Sequence, residues 1–259
     1  MEKVSVIIPC YNDGRYIEET IQSVLNQTYS RIEIIVIDDG SDNLEMMKTL
    51  ERLKARGIIV LHTEHLGPSH ARNYGIYQST GEYILPLDSD DKINETYIEK
   101  AVRVLNTNEK IGAVYCRAEL FGEKTGPWNL PDYELKKMFF DNIVFVTAMF
   151  RKEDWKVVGG FCSDFKHGME DYDFWLSILD LGKEIYQIPE ILFYYRIKKE
   201  SRTSAFWSST KNVLGTYQLI YKRHKVLFEK NCTRLELLFR EIIVAARVIK
   251  VLMKYKLQK

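Results

Sequence analysis

The chain has 259 residues, 46% of them hydrophobic, with 37 Lys/Arg against 36 Asp/Glu for a net charge of +1. That suits one large or two small globular domains with a real core, and a body so close to neutral excludes nucleic acid as a partner of the whole molecule. Cys10, Cys116, Cys162 and Cys232 show no C-x-x-C spacing, which excludes a zinc site or disulfide framework and suits buried thiols in a reducing compartment.

Met1-Glu2-Lys3 runs directly into Val4-Ser5-Val6-Ile7-Ile8, a β-branched run closed by Pro9. It reads as a buried parallel strand with no room ahead of it for a signal peptide. Helical spacing from Tyr16 to Asn26 puts Ile17, Ile21, Val24 and Leu25 on one face. A second buried strand, Ile32 to Ile37, ends in Asp38-Asp39-Gly40-Ser41. A helix is predicted over Leu44 to Arg56 with Gly57 as its C-cap, then a third strand over Ile58 to Leu61. Pro68 to Gln78 reads as a helix, Tyr83 to Leu87 as a fourth strand, Glu95 to Leu105 as a helix and Gly112 to Arg117 as a fifth strand. This alternation predicts an α/β fold with a mostly parallel sheet flanked by helices, whose ligands sit outside the carboxyl ends of the strands.

Three polar clusters follow predicted strand ends: Cys10-Tyr11-Asn12-Asp13, Asp38-Asp39-Gly40-Ser41 and Asp88-Ser89-Asp90-Asp91. They should converge on one edge of the sheet. The last is the most informative, because crowded carboxylates at a strand end repel one another. A hard divalent cation would relieve the repulsion by binding one or two carboxylates together with substrate phosphates. The competing reading is an acidic turn capping the helix that starts near Asn94. Neither G-x-G-x-x-G nor G-x-x-x-x-G-K-[ST] occurs, which weighs against a dinucleotide oxidoreductase and a P-loop NTPase.

Beyond residue 120 the alternation weakens. Phe121 to Phe140 reads as irregular, Val144 to Phe150 as a strand, Met169 to Leu181 as a helix opened by acidic residues, and Ile185 to Tyr195 as a strand around Pro189. Residues 221–259 hold eleven Lys/Arg and three Asp/Glu, a net +8, so the first 220 residues carry −7. Within this tail, Leu235 to Met253 reads as a helix. At 100° per residue, Glu236, Arg240, Arg247, Lys250 and Lys254 fall within an arc of about 80° and apolar residues cover most of the remainder. Such a face packs on the body or lies on an anionic membrane surface, where each basic group contributes about 1 kcal/mol. No run of about 18 uncharged apolar residues suggests a membrane-crossing helix.

The segments VSVIIPCYN, IIVIDDGS, GPSHARNYG, YILPLDSDD and MEDYDFWLSI, in this order, resemble the family-2 glycosyltransferases of the GT-A fold. The resemblance covers about residues 3–200. It implies a catalytic domain over 1–205, with a nucleotide-binding half to about residue 117 and an acceptor-binding half after it. Residues 206–259 then form a helical, basic C-terminal extension.

It further implies an inverting hexosyltransferase that uses a nucleotide-sugar, with UDP-glucose, UDP-galactose or an N-acetylated form as donor. The implied acceptor is a glycan or lipid-linked glycan of a surface polysaccharide such as O-antigen or capsule. The enzyme would be cytoplasmic, or peripheral on the inner membrane face. Pro9 and Tyr11 would lie against the nucleotide, Asp39 would bond base or ribose, and Arg72 would neutralise diphosphate or pair with Asp88 or Asp90. Asp88 and Asp90 match the D-x-D signature that holds Mn²⁺ or Mg²⁺ on the diphosphate. Glu170 and Asp171 match the acidic pair of the acceptor site, with Asp171 as general base. At the place where many relatives carry a histidine after Tyr-Arg, this chain has Lys198, which implies a lysine clamp on the diphosphate or an extra water on the metal. The alternatives are a non-catalytic sugar-nucleotide or glycan-binding relative and a sugar nucleotidyltransferase.

Overall fold

Strands rich in β-branched residues need apolar cover on both faces, and the first two such runs lie side by side inside one nine-stranded sheet. A computed structural model describes residues 1–199 and 201–257. In chain order the first part of the chain contains β1 (Val4–Cys10), α1 (Ile17–Leu25), β2 (Ile32–Asp38), α2 (Leu44–Ala55), β3 (Ile59–His62), α3 (Pro68–Gln78), β4 (Tyr83–Pro86), β5 (Lys92–Ile93) and α4 (Tyr97–Thr107). There follow β6 (Ile111–Gly122), β7 (Gly126–Pro127), α5 (Leu135–Met138), β8 (Met149–Arg151), α6 (Lys152–Val158), α7 (Glu170–Asp180) and β9 (Glu184–Ile197). The chain ends in four helices: α8 (Arg202–Phe206), α9 (Thr210–Arg223), α10 (Lys225–Asn231) and α11 (Arg234–Leu257).

The strand order is β3-β2-β1-β4-β8-β6-β9-β5, with β7 paired to β6. β3, β2, β1 and β4 are parallel, and β6 and β9 form the other long parallel ladder. β8 joins the two blocks by antiparallel pairing on both sides. From β1 the chain winds outward to β3, then returns to place β4 on the other flank of β1. The strand order therefore reverses between β1 and β4, and a crevice opens there at the carboxyl ends of the strands.

Several elements differ from the sequence reading, each for a local reason. The helix expected from Glu95 starts at Tyr97, and Asn94 Oδ1 rather than an aspartate accepts from Thr96 N at 3.1 Å. Asp91 is no cap: it is buried and its Oδ1 accepts the Arg196 backbone N–H at 2.8 Å. Of the strand expected over Val144 to Phe150, only the end at Met149 joins the sheet. Val144 and Phe145 are apolar because they fill the core, which periodicity in a short run cannot distinguish from a ladder. β6 runs five residues past the expected Arg117 because β9 pairs with it as far as Gly122 and Ile197. The two-residue β5 and the seven-residue α6 carry too little periodicity to be legible.

The C-terminal helices pack on the body. Phe228 and Ile220 belong to the main core, and Asp173 of α7 accepts from Arg223 Nε at 2.6 Å and lies 2.8 Å from His224 Nε2. Three residues of the charged arc of α11 turn toward the body, while Lys250 stays exposed. Arg240 is buried over the rings of Tyr217, Tyr221 and Phe228, Arg247 pairs with Asp141, and Glu236 pairs with Lys136. Its apolar residues are divided between α9 and the surface.

One tight approach anchors β1 to the turn before β4. Gly81 N donates to Ser5 Oγ at 2.9 Å, and a Cβ there would stand 2.7 Å from Ser5 N and 2.8 Å from Lys3 O. Backbone atoms cannot yield as a side chain can. Gly81→Ala should cost about 1–3 kcal/mol, a fall in Tm of roughly 2–12 °C by thermal unfolding. An unchanged Tm would show that this approach is looser than described.

Candidate active site

The three polar clusters meet at the crevice between β1 and β4. After β1, Asn12 takes a left-handed conformation, φ 51°, and staples its loop to the one after β2. Its N–H donates to Ser41 Oγ at 2.9 Å, and its side-chain oxygen accepts from Asp42 N and Asn43 N at 3.1 and 3.0 Å. Asp38 is the turn residue of its pair, accepting from Ser41 N at 3.1 Å. Asp39 is buried and accepts from Thr63 Oγ1 at 2.7 Å, Leu66 N at 2.9 Å and Gly67 N at 2.8 Å. It thereby fixes the backbone that leads into α3. Tyr11 is an exposed ring whose centroid lies 4.0 Å from that of His65. Pro9 lies within β1, buried and in register with Ile37.

The segment after β4 is held on three sides. Thr20 Oγ1 donates to Ser89 O at 2.9 Å, Arg196 Nε donates to Asp90 O at 2.7 Å, and Asp91 takes the Arg196 N–H already described. Asp88 remains partly open and accepts from Arg72 at 2.6 Å. Asp90 pairs with Lys198 at 2.6 Å, and the same ammonium reaches Asp13 at 2.6 Å. Lys198, at the carboxyl end of β9, thus ties the loop after β1 to the loop after β4. Burial first, then the Asp88 charge, raises the Asp90 carboxyl despite this ammonium, and burial first, then Asp90, holds Asp91 well above the usual carboxylate range. The cluster carries more negative charge than its partners neutralise.

α7 enters the crevice by its N-terminus. Gly168 and Met169 both have positive φ, 137° and 72°, a turn that aims the first helical residues at α3. Such a conformation is costly for a non-glycine residue and marks a position fixed by its surroundings. Glu170 is buried, and its Oε1 accepts from Arg72 at 2.8 Å and from Arg202 at 2.6 Å. Burial alone would raise its carboxyl, but Arg202 and Arg72 outweigh that and hold it at about 2. Asp171 faces the opposite situation. Burial and the adjacent Glu170 charge push its carboxyl up to about 7, against hydrogen bonds from Tyr172 N at 2.8 Å and Asn142 Nδ2 at 3.1 Å. Two neighbouring carboxylates are thus driven in opposite directions, the arrangement that separates a fixed anion from a proton acceptor.

A cavity of about 490 Å³ connects these groups, its walls including Asp88, Asp90, Glu170, Asp171 and Lys198. The lining carries six carboxylates against four guanidinium or ammonium groups. Four contributors escaped the sequence reading. Asp13 and Arg202 carried a signal, the first in a strand-end cluster and the second four residues past Lys198. Asn142 lies in irregular chain and had none, while Arg196 was marked only as the Tyr-Arg pair ahead of Lys198, which gave no sign of its bonds to Asp91 and the Asp90 carbonyl.

A family model described as "Glycosyl transferase family 2" matches residues 5–165. A Haemophilus influenzae protein named as an uncharacterized glycosyltransferase is 32% identical over 223 residues, 78% of this chain and 68% of that one. A Bacillus subtilis protein named for teichuronic acid biosynthesis, the glycosyltransferase TuaG, is 28% identical over 229 residues, 85% of this chain and 89% of its own. Among solved structures, S. aureus TarS 1-349 in complex with UDP-GlcNAc superposes with a TM-score of 0.73 at 20% identity, covering 95% of this chain and 71% of that one. The mannosyltransferase PcManGT from Pyrobaculum calidifontis, in complex with GDP-Man and Mn²⁺, gives 0.67 at 18% identity, covering 99% of this chain and 80% of its own. At these identities the superpositions speak for a shared GT-A fold.

Proposed function

Because the chain belongs to glycosyltransferase family 2, we propose that it moves a hexose from a UDP-sugar to a hydroxyl of a glycan acceptor, with inversion at the anomeric carbon. The observation that carries this reading is the Glu170–Asp171 pair at the mouth of the cavity. Asp171, pushed to about 7, is basic enough to take a proton from an attacking hydroxyl at neutral pH. Attack from the side opposite the leaving diphosphate inverts the centre. Asn142 orients the Asp171 carboxylate, while Glu170 stays ionised between Arg72 and Arg202 and positions both guanidinium groups. Arg202, Lys198 and Arg72 offer fixed positive charge for a diphosphate.

The excess of carboxylates in the lining, the raised Asp90 and Asp91, and a buried Asp13 Oδ1 without a hydrogen-bond partner all fit a divalent cation. Asp90 and Asp88 would hold it, with the diphosphate oxygens completing its shell. When bound, it would draw charge from the leaving nucleoside diphosphate as a Lewis acid. Among the described residues no three His, Cys, Asp or Glu side chains are grouped so as to hold a metal ion by themselves. The proposed acceptor is a lipid-linked or free glycan of a surface polysaccharide, in keeping with the name of TuaG. A lipid-linked acceptor would be met at the cytoplasmic membrane face. No helix among the described residues is long and apolar enough to cross a membrane.

Calorimetric titration and donor hydrolysis across UDP-, GDP- and dTDP-sugars, each with Mn²⁺ and with EDTA, test this reading. UDP-sugars should bind most tightly and EDTA should abolish hydrolysis. Preference for a GDP-sugar would overturn the nucleotide assignment, and indifference to EDTA would overturn the cation.

A further inference from the structure

Helix α11 is apolar on two faces, and only one of them is covered. Leu237, Val244, Val248 and Val251 turn toward the α9 side or into the body, with Arg240 and Arg247 between them. On the other face Leu235, Leu238, Ile242, Ala245, Ile249 and Leu252 are all exposed, the five large ones by 48% to 75%. Their spacing is three, four, three, four, three. That is the 3.5-residue repeat of a coiled-coil seam, sustained over about 26 Å of helix. A helix apolar all round is the central element of a bundle, and α11 lacks its neighbour on one side.

The surroundings argue for a protein helix over lipid. A helix lying on an anionic membrane presents its cations beside its apolar face. Here Arg240 and Arg247 point away from the exposed face, one buried among aromatic rings and the other on Asp141. The described residues bordering the seam are Arg234 and Glu241, of opposite charge, on one side and Phe239, Ala246 and Met253 on the other. Beside the seam, a groove of about 440 Å³ between α9 and α11, lined by Leu214, Tyr221, Leu237 and Leu238 among others, can take side chains from a helix laid alongside.

The order of side chains also names the partner. About a midpoint between Ile242 and Ala245 the seam reads nearly the same in both directions. A two-fold axis there sets Leu235 against Leu252, Leu238 against Ile249, and Ile242 against the small Ala245 of the other chain. Large residues meet large at the ends, and large meets small at the centre, as close helix packing requires. We propose that this face is the interface of a homodimer in which α11 pairs with α11 of a second copy, antiparallel, on the side of the helix opposite the one that meets Asp141 and Trp207 of the cavity wall. The inference does not depend on which donor or acceptor is used.

The seam side chains are exposed in the single chain, so polar substitutions there leave the fold intact. Sedimentation velocity of the full chain should show a species of twice the 30.5 kDa chain mass at micromolar concentration. Ile242→Glu with Ile249→Glu should return it to one chain mass with circular dichroism and donor hydrolysis unchanged. Ala245→Cys, close to the two-fold axis, should cross-link under mild oxidation, whereas Leu235→Cys should not. A wild-type chain that stays monomeric overturns the proposal. So does a dimer that survives the double substitution, cross-linking at Leu235→Cys, or a monomer that binds phosphatidylglycerol vesicles through Ile242 and Ile249.

Discussion

Asp171→Asn is expected to lower the turnover of glycosyl transfer by about 10²–10⁴-fold, the span associated with loss of a positioned general base. Donor affinity should stay where it was, because the groups proposed to meet the donor are Asp88, Asp90, Lys198 and Arg72, which pair with one another and not with Asp171. The asparagine fills the same volume and keeps the acceptor for Tyr172 N. Below pH 7 the carboxyl is largely protonated and cannot accept the hydroxyl proton, so the wild-type rate should climb as pH rises through about 7 and level off above it. The residual activity of the variant should lack that limb. Stability moves the other way. A carboxyl raised from 3.8 in the unfolded chain favours the fold most below that value, and the benefit is lost as pH rises through about 7. Steady-state rates between pH 5.5 and 9, alongside calorimetric donor binding, decide the matter. Wild-type turnover in the variant would remove Asp171 from the mechanism.

Arg72→Met should unfold the protein more readily than any other single change at the crevice. Arg72 is buried, and its two ends hold Asp88 and Glu170. Methionine fills much of the volume but leaves a buried Glu170 facing one guanidinium instead of two. Removing one partner of a buried ion pair costs about 3–5 kcal/mol, which lowers Tm by roughly 6–20 °C in a chain of this size. Arg72→Lys should fall between the two, since an ammonium cannot reach both carboxylates as a planar fork does. The acid side offers a second readout. Glu170, held at about 2 against an ordinary 4.5, supports the fold above pH 4.5, and this support is lost as pH falls toward 2. With Arg72 gone the acid-side loss should shrink. A Tm within about 1 °C of wild type would mean that this guanidinium is structurally idle.

The parallel half of the fold was legible because it obeys two periods. β1, β2 and β4 are mostly apolar and rich in β-branched residues, and α3 begins on Pro68 and ends at Gln78 as its spacing predicts. The convergence of the loops after β1, β2 and β4 followed from strand ends alone. What could not be read lies where tertiary pairing overrides local pattern. Val144 to Phe150 is apolar for core packing, and Asp91 answers a backbone N–H more than a hundred residues away. Asp39 was legible as a polar residue at a strand end, but its binding to Leu66 and Gly67 was not. The inward part of the charged arc of α11 was hidden for a related reason. A helical wheel shows which residues share a face and is silent on which face meets the body.

Lys198 belongs by position to the second half of the chain, yet its charge answers two carboxylates of the first, Asp13 and Asp90. Arg72 of the first half in turn answers Glu170 of the second. The halves are therefore not interchangeable parts. A chimera joined near residue 117, with the second half taken from a relative, would replace the counter-ion of the loops after β1 and β4. Exchanging the second half by recombination calls for crossovers that leave the end of β9 with its own first half, a second junction that sequence boundaries alone do not mark.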